Sequence, residues 1–216
     1  MELKPHTLVK FDGVKSLTSD LPSPEWLPSV LCNCKIAVIR RDVFRPGLVP
    51  VGIRGRQKAE RFGAWLSIDS IVDIITPNML TKLENWQSKY AFKMPDPVWS
   101  LKEITPVLDS TGFCWGPTGS TAFELATGKP SVRMSSDLDL VIDMFEPLDS
   151  RTAANLLYIL EITSKSNIDV QLETPMGGVS LREYVTSSRV MVKSSSGPFL
   201  EEGHLLWTGK ANQRNF

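Results

Sequence analysis

The chain has no run of about 18 apolar residues, the length a membrane-spanning helix needs. Its first residues, MELKPHTLVKFDG, hold no apolar core of signal-peptide length, so a cytoplasmic protein is expected. An excess of one charge is also missing: 24 basic residues meet 24 acidic ones, and the formal net charge is zero. A protein that grips a nucleic acid polymer usually carries a basic excess, so that class is set aside; one nucleotide needs only a few local charges. Three cysteines, an odd number, give no disulfide framework. Cys32 and Cys34 have no second cysteine pair and no closely spaced histidine pair with which to complete a zinc site. His6 and His204 are isolated and are read as structural. Internal repeats and low-complexity tracts are absent.

What is present is the material of a packed core: 42% hydrophobic and 22% charged residues in 216, enough for one large domain or two small ones. Residues 31–41 and Leu48–Arg54 read as strands separated by the turn at Pro46 and Gly47. In RQKAERFGAWLSI the positions of Ala59, Phe62, Ala64, Trp65 and Leu66 suggest a helical stripe. Thr76 and Pro77 suit the cap and first residue of a helix over TPNMLTKLENW. Pro95 and Pro97 then place a boundary near residue 97, dividing an N-terminal accessory α+β domain, 1–97, from a domain of residues 98–216.

In the second part, residues 98–112 read as a helix interrupted at Pro106 and stopped by Gly112. FCWGPTG reads as a strand running into a turn, and STAFELATG as a short helix closed by Gly128. DLDLVIDM alternates, with Leu138, Leu140 and Ile142 on one side and Asp137, Asp139, Val141 and Asp143 on the other. A helix follows with Ser150 as its cap, then a strand presenting Asp169, Gln171 and Glu173 on one face, a short helix GVSLREYV and a last strand RVMVK.

Two aspartates at i and i+2 on a strand face the same way, about 7 Å apart. Asp137 and Asp139 can therefore converge on a divalent cation, and Mg²⁺ prefers carboxylate and phosphate oxygens. A third carboxylate on a neighbouring strand would complete the set and could take a proton from an attacking hydroxyl. Asp169 has that place, because one helix separates its strand from the first; Glu173, on the same face, is the second candidate. Asp143 lies four residues further along, about 13 Å away. A calcium loop is excluded because Leu138, Leu140 and Ile142 interleave the acids and the central glycine is missing. Upstream, Gly119 allows a tight turn and Ser120 opens a helix whose N–H groups suit a polyphosphate. Lys129 and Arg133, in the intervening loop, could reach the same phosphates. Arg54, Arg56, Lys58 and Arg61 cluster where a strand meets the expected helix. They form either a solvated face or a grip on a phosphate or an acidic protein.

Gly119-Ser120 followed by Ser136-Asp137-Leu138-Asp139-Leu140 resembles the signature of the polymerase-beta-type nucleotidyltransferase superfamily. The separation of 18 positions between Gly119 and Asp137 departs from its small antibiotic-modifying and antitoxin-like members. WGPTGSTAFELATGKPSVRMSSDLDLVI is similar to the core of the malonate decarboxylase holo-[acyl-carrier-protein] synthase family, the phosphoribosyl-dephospho-CoA transferases. LVPVGIRGRQKAERFGAWL, IDVQLETPMGGVSLREYV, VMVKSSSGPFL and, more loosely, KPHTLVKF are also similar to that family. The resemblance implies a polymerase-beta-like nucleotidyltransferase domain, a mixed sheet with flanking helices, preceded by a small α+β domain. It implies a Mg²⁺-dependent transfer from triphosphoribosyl-dephospho-CoA to a serine of the malonate decarboxylase acyl-carrier subunit, with pyrophosphate leaving. Asp137 and Asp139 would be metal ligands, joined by Asp169, and Gly119 and Ser120 would hold terminal phosphates. The alternatives are a nucleotidyltransferase with a nucleoside triphosphate donor, or a non-catalytic nucleotide-binding module.

Overall fold

In the computed structural model, residues 3–43, 45–57, 59–82, 90 and 94–208 are described. The chain forms two compact units, Met1–Thr76 and Pro77–Phe216. The division falls ahead of the proline pair at which the sequence suggests a boundary.

The first unit is one antiparallel sheet and one short helix. Its elements are β1 (Leu8–Phe11), β2 (Leu17–Thr18), α1 (Leu27–Asn33), β3 (Ile36–Ile39), β4 (Leu48–Arg54), β5 (Arg61–Ser67) and β6 (Ile71–Ile75). The strand order is β2-β5-β4-β3-β1-β6. Leu27 and Leu31, four apart on α1, pack on the face made by Val9, Phe11, Ala37, Ile39, Val49, Val51, Ile53, Phe62, Ala64 and Leu66. Residues 31–41 are only partly strand, since α1 runs to Asn33 and β3 covers Ile36–Ile39.

The helix expected over RQKAERFGAWLSI is instead β5, and the reason lies in the period. Phe62, Ala64 and Leu66 recur every second residue and are all buried. Trp65 is buried from the opposite face, 4.1 Å beneath the Arg45 guanidinium, which fills the gap in the alternation and imitates a helical stripe. The hairpin register, from Leu48↔Ser67 to Arg54↔Arg61, then pairs the whole strand.

The second unit opens with a 3-10 turn, Pro77–Leu80, where a longer helix is expected; residues 83–86 of that helix lie outside the described residues. Its other elements are α2 (Asp96–Ser110), β7 (Trp115–Pro117), α3 (Gly119–Thr127), β8 (Leu138–Asp143), α4 (Ser150–Thr163), β9 (Ile168–Thr174), β10 (Gly177–Ser180), α5 (Leu181–Thr186), β11 (Arg189–Ser194) and β12 (Gly197–Glu202). The sheet is mixed, in the order β12-β11-β10-β9-β8-β7. β8 and β9 are parallel, joined by α4 as a crossover. Leu138, Leu140, Ile142, Ile168, Val170 and Leu172 form the floor of the core, covered by Leu101, Ile104 and Leu108 of α2 and Leu156 and Leu160 of α4.

Several local details depart from the sequence reading. α2 runs through Pro106 without a break. Pro106 and Lys102 are both exposed, so the carbonyl deprived of its N–H partner can be hydrated. The cap of α4 is Asp149 rather than Ser150: its Oδ1 accepts from Arg151 N at 3.1 Å and Thr152 N at 3.0 Å. GVSLREYV divides into the end of β10 and α5. β12 has no expectation behind it. Its run of exposed residues hides the strand, which is defined by six register pairs with β11, from Arg189↔Glu202 to Ser194↔Gly197.

Candidate active site

The end of β7, the start of α3 and the two parallel strands meet at Asp139. Thr118 N donates to the Asp139 carbonyl at 2.8 Å, which ties the turn before α3 to β8. Gly119 follows in the left-handed region, at φ +59. A β-carbon there would overlap Asp139 Oδ2 and lie 2.9 Å from Cγ. Glycine is therefore needed twice over, for its conformation and for its missing side chain. Ser120, half-buried, stands in the first turn of α3, and the cap residue Thr118 makes no side-chain cap bond. Gly128, at φ +71, ends the helix as expected.

Parallel pairing places Asp139 level with Asp169, and Asp143 level with Glu173. Adjacent strands lie about 4.8 Å apart, so Asp139 and Asp169 stand side by side on the face opposite the leucine floor. Asp139 is half-buried and Asp169 exposed. Of the two candidate third carboxylates, the register brings Asp169 to Asp139. Glu173 is four pairs along the register and accepts a 2.6 Å bond from Gln171 Nε2. Asp137 is exposed just before β8, and Asn167 Nδ2 donates to its Oδ1 at 3.3 Å. Among the described residues no group of three or more His, Cys, Asp or Glu side chains is gathered as a ready-made metal cage.

The loop from α3 to β8 carries Lys129, half-buried, and Arg133, exposed. Its anchor is Glu124, the single acid of α3. Glu124 is 4% exposed, inside α3. Its Oε2 accepts from Ser131 N at 2.6 Å and Val132 N at 2.7 Å, and its Oε1 accepts from the Tyr90 hydroxyl at 2.6 Å. A buried carboxylate with three such donors fixes the loop's path. Burial, then the bond to Glu124, hold the Tyr90 phenol well above its ordinary pKa. The sequence signal is a lone acid within the apolar run AFELA. At the far end of the loop Arg133 and Ser136 bond reciprocally, Arg133 N to Ser136 Oγ and Ser136 N to Arg133 O, each at 3.0 Å. Trp115 anchors β7 to the end of α2, its Nε1 donating to Asp109 Oδ1 at 2.9 Å.

Arg54, Arg56 and Arg61 belong to the first unit, at the end of the β4–β5 hairpin rather than at a strand–helix junction; Lys58 lies outside the described residues. Cys32, Cys34 and Cys114 form no disulfide. No described helix is long and apolar enough to cross a membrane.

Fold and site define an α+β protein that presents paired carboxylates beside a glycine-led helix start on one face of a mixed sheet. Residues 85–204 match the family model of the phosphoribosyl-dephospho-CoA transferase MdcG C-terminal domain, and residues 4–77 that of its N-terminal domain. The chain belongs to the phosphoribosyl-dephospho-CoA transferase family. The phosphoribosyl-dephospho-CoA transferase of Pseudomonas putida is 38% identical to it over 203 residues, covering 91% of this chain and 92% of its own length. That of Azotobacter vinelandii is 34% identical over 199 residues, 90% of each chain. The relative from Klebsiella pneumoniae is 32% identical over 195 residues, 90% of this chain and 92% of its own. No solved structure matches the chain.

Proposed function

We propose that this protein transfers the phosphoribosyl-dephospho-CoA group from triphosphoribosyl-dephospho-CoA to a serine of the malonate decarboxylase acyl-carrier subunit, in the cytoplasm, through a polymerase-beta-type nucleotidyltransferase site. Besides the family, one observation carries the reading: Asp139 and Asp169 are register partners on parallel strands, with Gly119 packed on the Asp139 carboxylate.

The donor set suits Mg²⁺, which takes one or two carboxylates and fills its other positions with water and substrate phosphate, so a full protein cage is not required. Asp139, Asp169 and Asp137 would hold it, and when bound it supplies neutralising charge for the phosphates. The chain's own groups do the rest. The N–H groups at Gly119 and Ser120, together with Lys129 and Arg133, grip the terminal phosphates and hold the α-phosphate in line with the incoming hydroxyl. The serine oxygen forms a bond to the α-phosphorus, and the bond from that phosphorus to the pyrophosphate oxygen breaks. The serine proton passes to Asp169, which stands beside Asp139 as a general base would.

The test is the mass of the unmodified carrier subunit after incubation with protein, donor and Mg²⁺. A gain equal to the transferred group is expected, and Asp139→Asn abolishes it. Loading by the Asn variant at the wild-type rate overturns the site. Nucleotidyl transfer from ATP in preference to the dephospho-CoA donor overturns the assigned donor.

A further inference from the structure

Of the three carboxylates assigned to the cation, two are held by the fold itself. Asp139 and Asp169 are register partners inside β8 and β9, and Gly119 packs on the first of them. Asp137 is different. It is exposed and stands one residue ahead of β8, where the parallel register begins only at Leu138↔Ile168. An exposed carboxylate outside a strand turns unless a neighbour stops it, and ordering it on binding costs affinity.

That neighbour is Asn167. Its Nδ2 donates to Asp137 Oδ1 at 3.3 Å, and its backbone carbonyl accepts from Leu138 N at 2.8 Å. One residue thus holds both the side chain of Asp137 and the peptide that follows it. On the other side Ser136 is tied to Arg133 by two bonds of 3.0 Å. Among the described residues nothing else bonds the Asp137 carboxylate.

Asn167 in turn ends an anchored loop. Ser100, on α2, is 0% exposed. Its Oγ accepts from Lys165 N at 2.9 Å, from Ser166 N at 3.3 Å and from Ser166 Oγ at 3.3 Å. All three donors belong to the two residues just before Asn167. Ser164 Oγ donates to the Ser166 carbonyl at 2.6 Å, which tightens the same turn. The Lys165 ammonium stands 3.7 Å from the centre of the Trp99 ring, the residue next to Ser100. A buried hydroxyl and an aromatic ring of α2 therefore fix the path that delivers the Asn167 amide to Asp137.

We infer that Asn167 is a positioning residue: it sets the Asp137 carboxylate for the divalent cation, and Ser100 holds Asn167 in place. The inference rests on the proposed metal site. A group bonded to a metal ligand rather than to the ion governs affinity by about 10- to 100-fold. One exposed bond of 3.3 Å belongs at the lower end of that range.

The experiment titrates the full-length protein with Mn²⁺ alone, without donor or carrier, and reads the EPR signal of the unbound ion. Asn167→Ala is expected to weaken Mn²⁺ binding about tenfold, and to melt like wild type because the side chain is exposed. Asn167→Gln keeps an amide donor and should stay within about threefold of wild type. Ser100→Ala touches no ligand, yet should both melt lower and bind Mn²⁺ more weakly. Asp149→Asn, which loses the cap at the opposite end of α4 from this loop, is the control for destabilisation and should bind Mn²⁺ as wild type does. In carrier loading, Asn167→Ala should need about tenfold more Mg²⁺ for half-maximal rate. At saturating Mg²⁺ its kcat and its KM for donor should return to within about twofold of wild type.

A folded Asn167→Ala variant that binds Mn²⁺ like wild type overturns the inference, as does an equal loss in Asp149→Asn. Equal losses in the Ala and Gln variants would assign the effect to the loop instead of the amide, against the inference. Ser100→Ala that melts lower and still binds Mn²⁺ like wild type removes α2 from the arrangement. Asp137→Asn that binds Mn²⁺ as tightly as wild type refutes the metal site, and the inference falls with it. Mn²⁺ binding that depends on Asp137 and Asn167, in a protein that never loads the carrier, refutes the proposed transfer and leaves the positioning role standing.

Discussion

Gly119 lies against the carboxylate of Asp139, so closely that a β-carbon on the one would displace the other. The residue that opens α3 thereby determines where the acid on β8 can point. Gly119→Ala should fold, since the strain of φ +59 on alanine amounts to about 1 kcal/mol. Carrier loading should fall about 100-fold or more, because a displacement near 1 Å at the reacting centre has that effect. Loading rates with a thermal melt as control check this; a folded variant of wild-type rate would mean that Asp139 need not hold its place.

Register makes a sharper distinction between two acids on one strand. Asp169→Asn should reduce the loading rate by about 100-fold or more, and Glu173→Gln by less than about tenfold, since Glu173 stands level with Asp143 instead. Removal of Mg²⁺ by a chelator should stop loading and its return should restore it. Equal losses in the two variants would show that the strand face acts as a whole.

Glu124→Gln leaves one oxygen to serve three donors and puts an amide where an acceptor stood. The expected loss of stability is about 1.5–3 kcal/mol. The loop bearing Lys129 and Arg133 should loosen, raising the KM for donor more than it lowers kcat. Steady-state kinetics with the donor varied separate this from simple destabilisation, which would lower the active fraction and leave KM alone.

Asp149 caps α4, and the Thr152 and then the Arg151 bonds hold its carboxyl below the usual aspartate range. A depressed folded pKa contributes stability that is present above the unfolded value and lost as pH falls through the folded one. Asp149→Asn should therefore melt below wild type at neutral pH, and the gap should close below about pH 4. Melting points measured across that range decide it; a gap that stays constant would assign the cap to geometry alone.

Leu140→Ala removes a side chain 1% exposed from the floor shared by α2 and α4 and should cost about 2–5 kcal/mol in urea unfolding.

The strands that position the site were legible because their alternation was clean. Leu48–Arg54 is a strand to the residue, and Leu138, Leu140 and Ile142 face the core as their spacing requires. Gly128 announced the end of α3. What stayed hidden depended on partners distant in the chain. Trp65 blurred the period of β5 because its burial comes from arginines in another loop. β12 shows no apolar pattern and exists through its pairing with β11. Glu124 looks ordinary until the loop returns to it. The cap of α4 moved by one residue, from Ser150 to Asp149, because a carboxylate next to a hydroxyl can satisfy two amides.

Asp139 and Asp169 sit 30 positions apart along the chain, yet they meet only through the parallel register of β8 and β9. The crossover between them is a spacer whose length is free but whose landing is not. Residues added between Met144 and Asp149 would lengthen a surface loop. A single residue added inside β9 ahead of Asp169 would turn that carboxylate inward toward Leu138, Leu140 and Ile142 and bring Val170 out in its place. For this family, then, gaps in the crossover are compatible with function, and a frame shift of one within the strand is not.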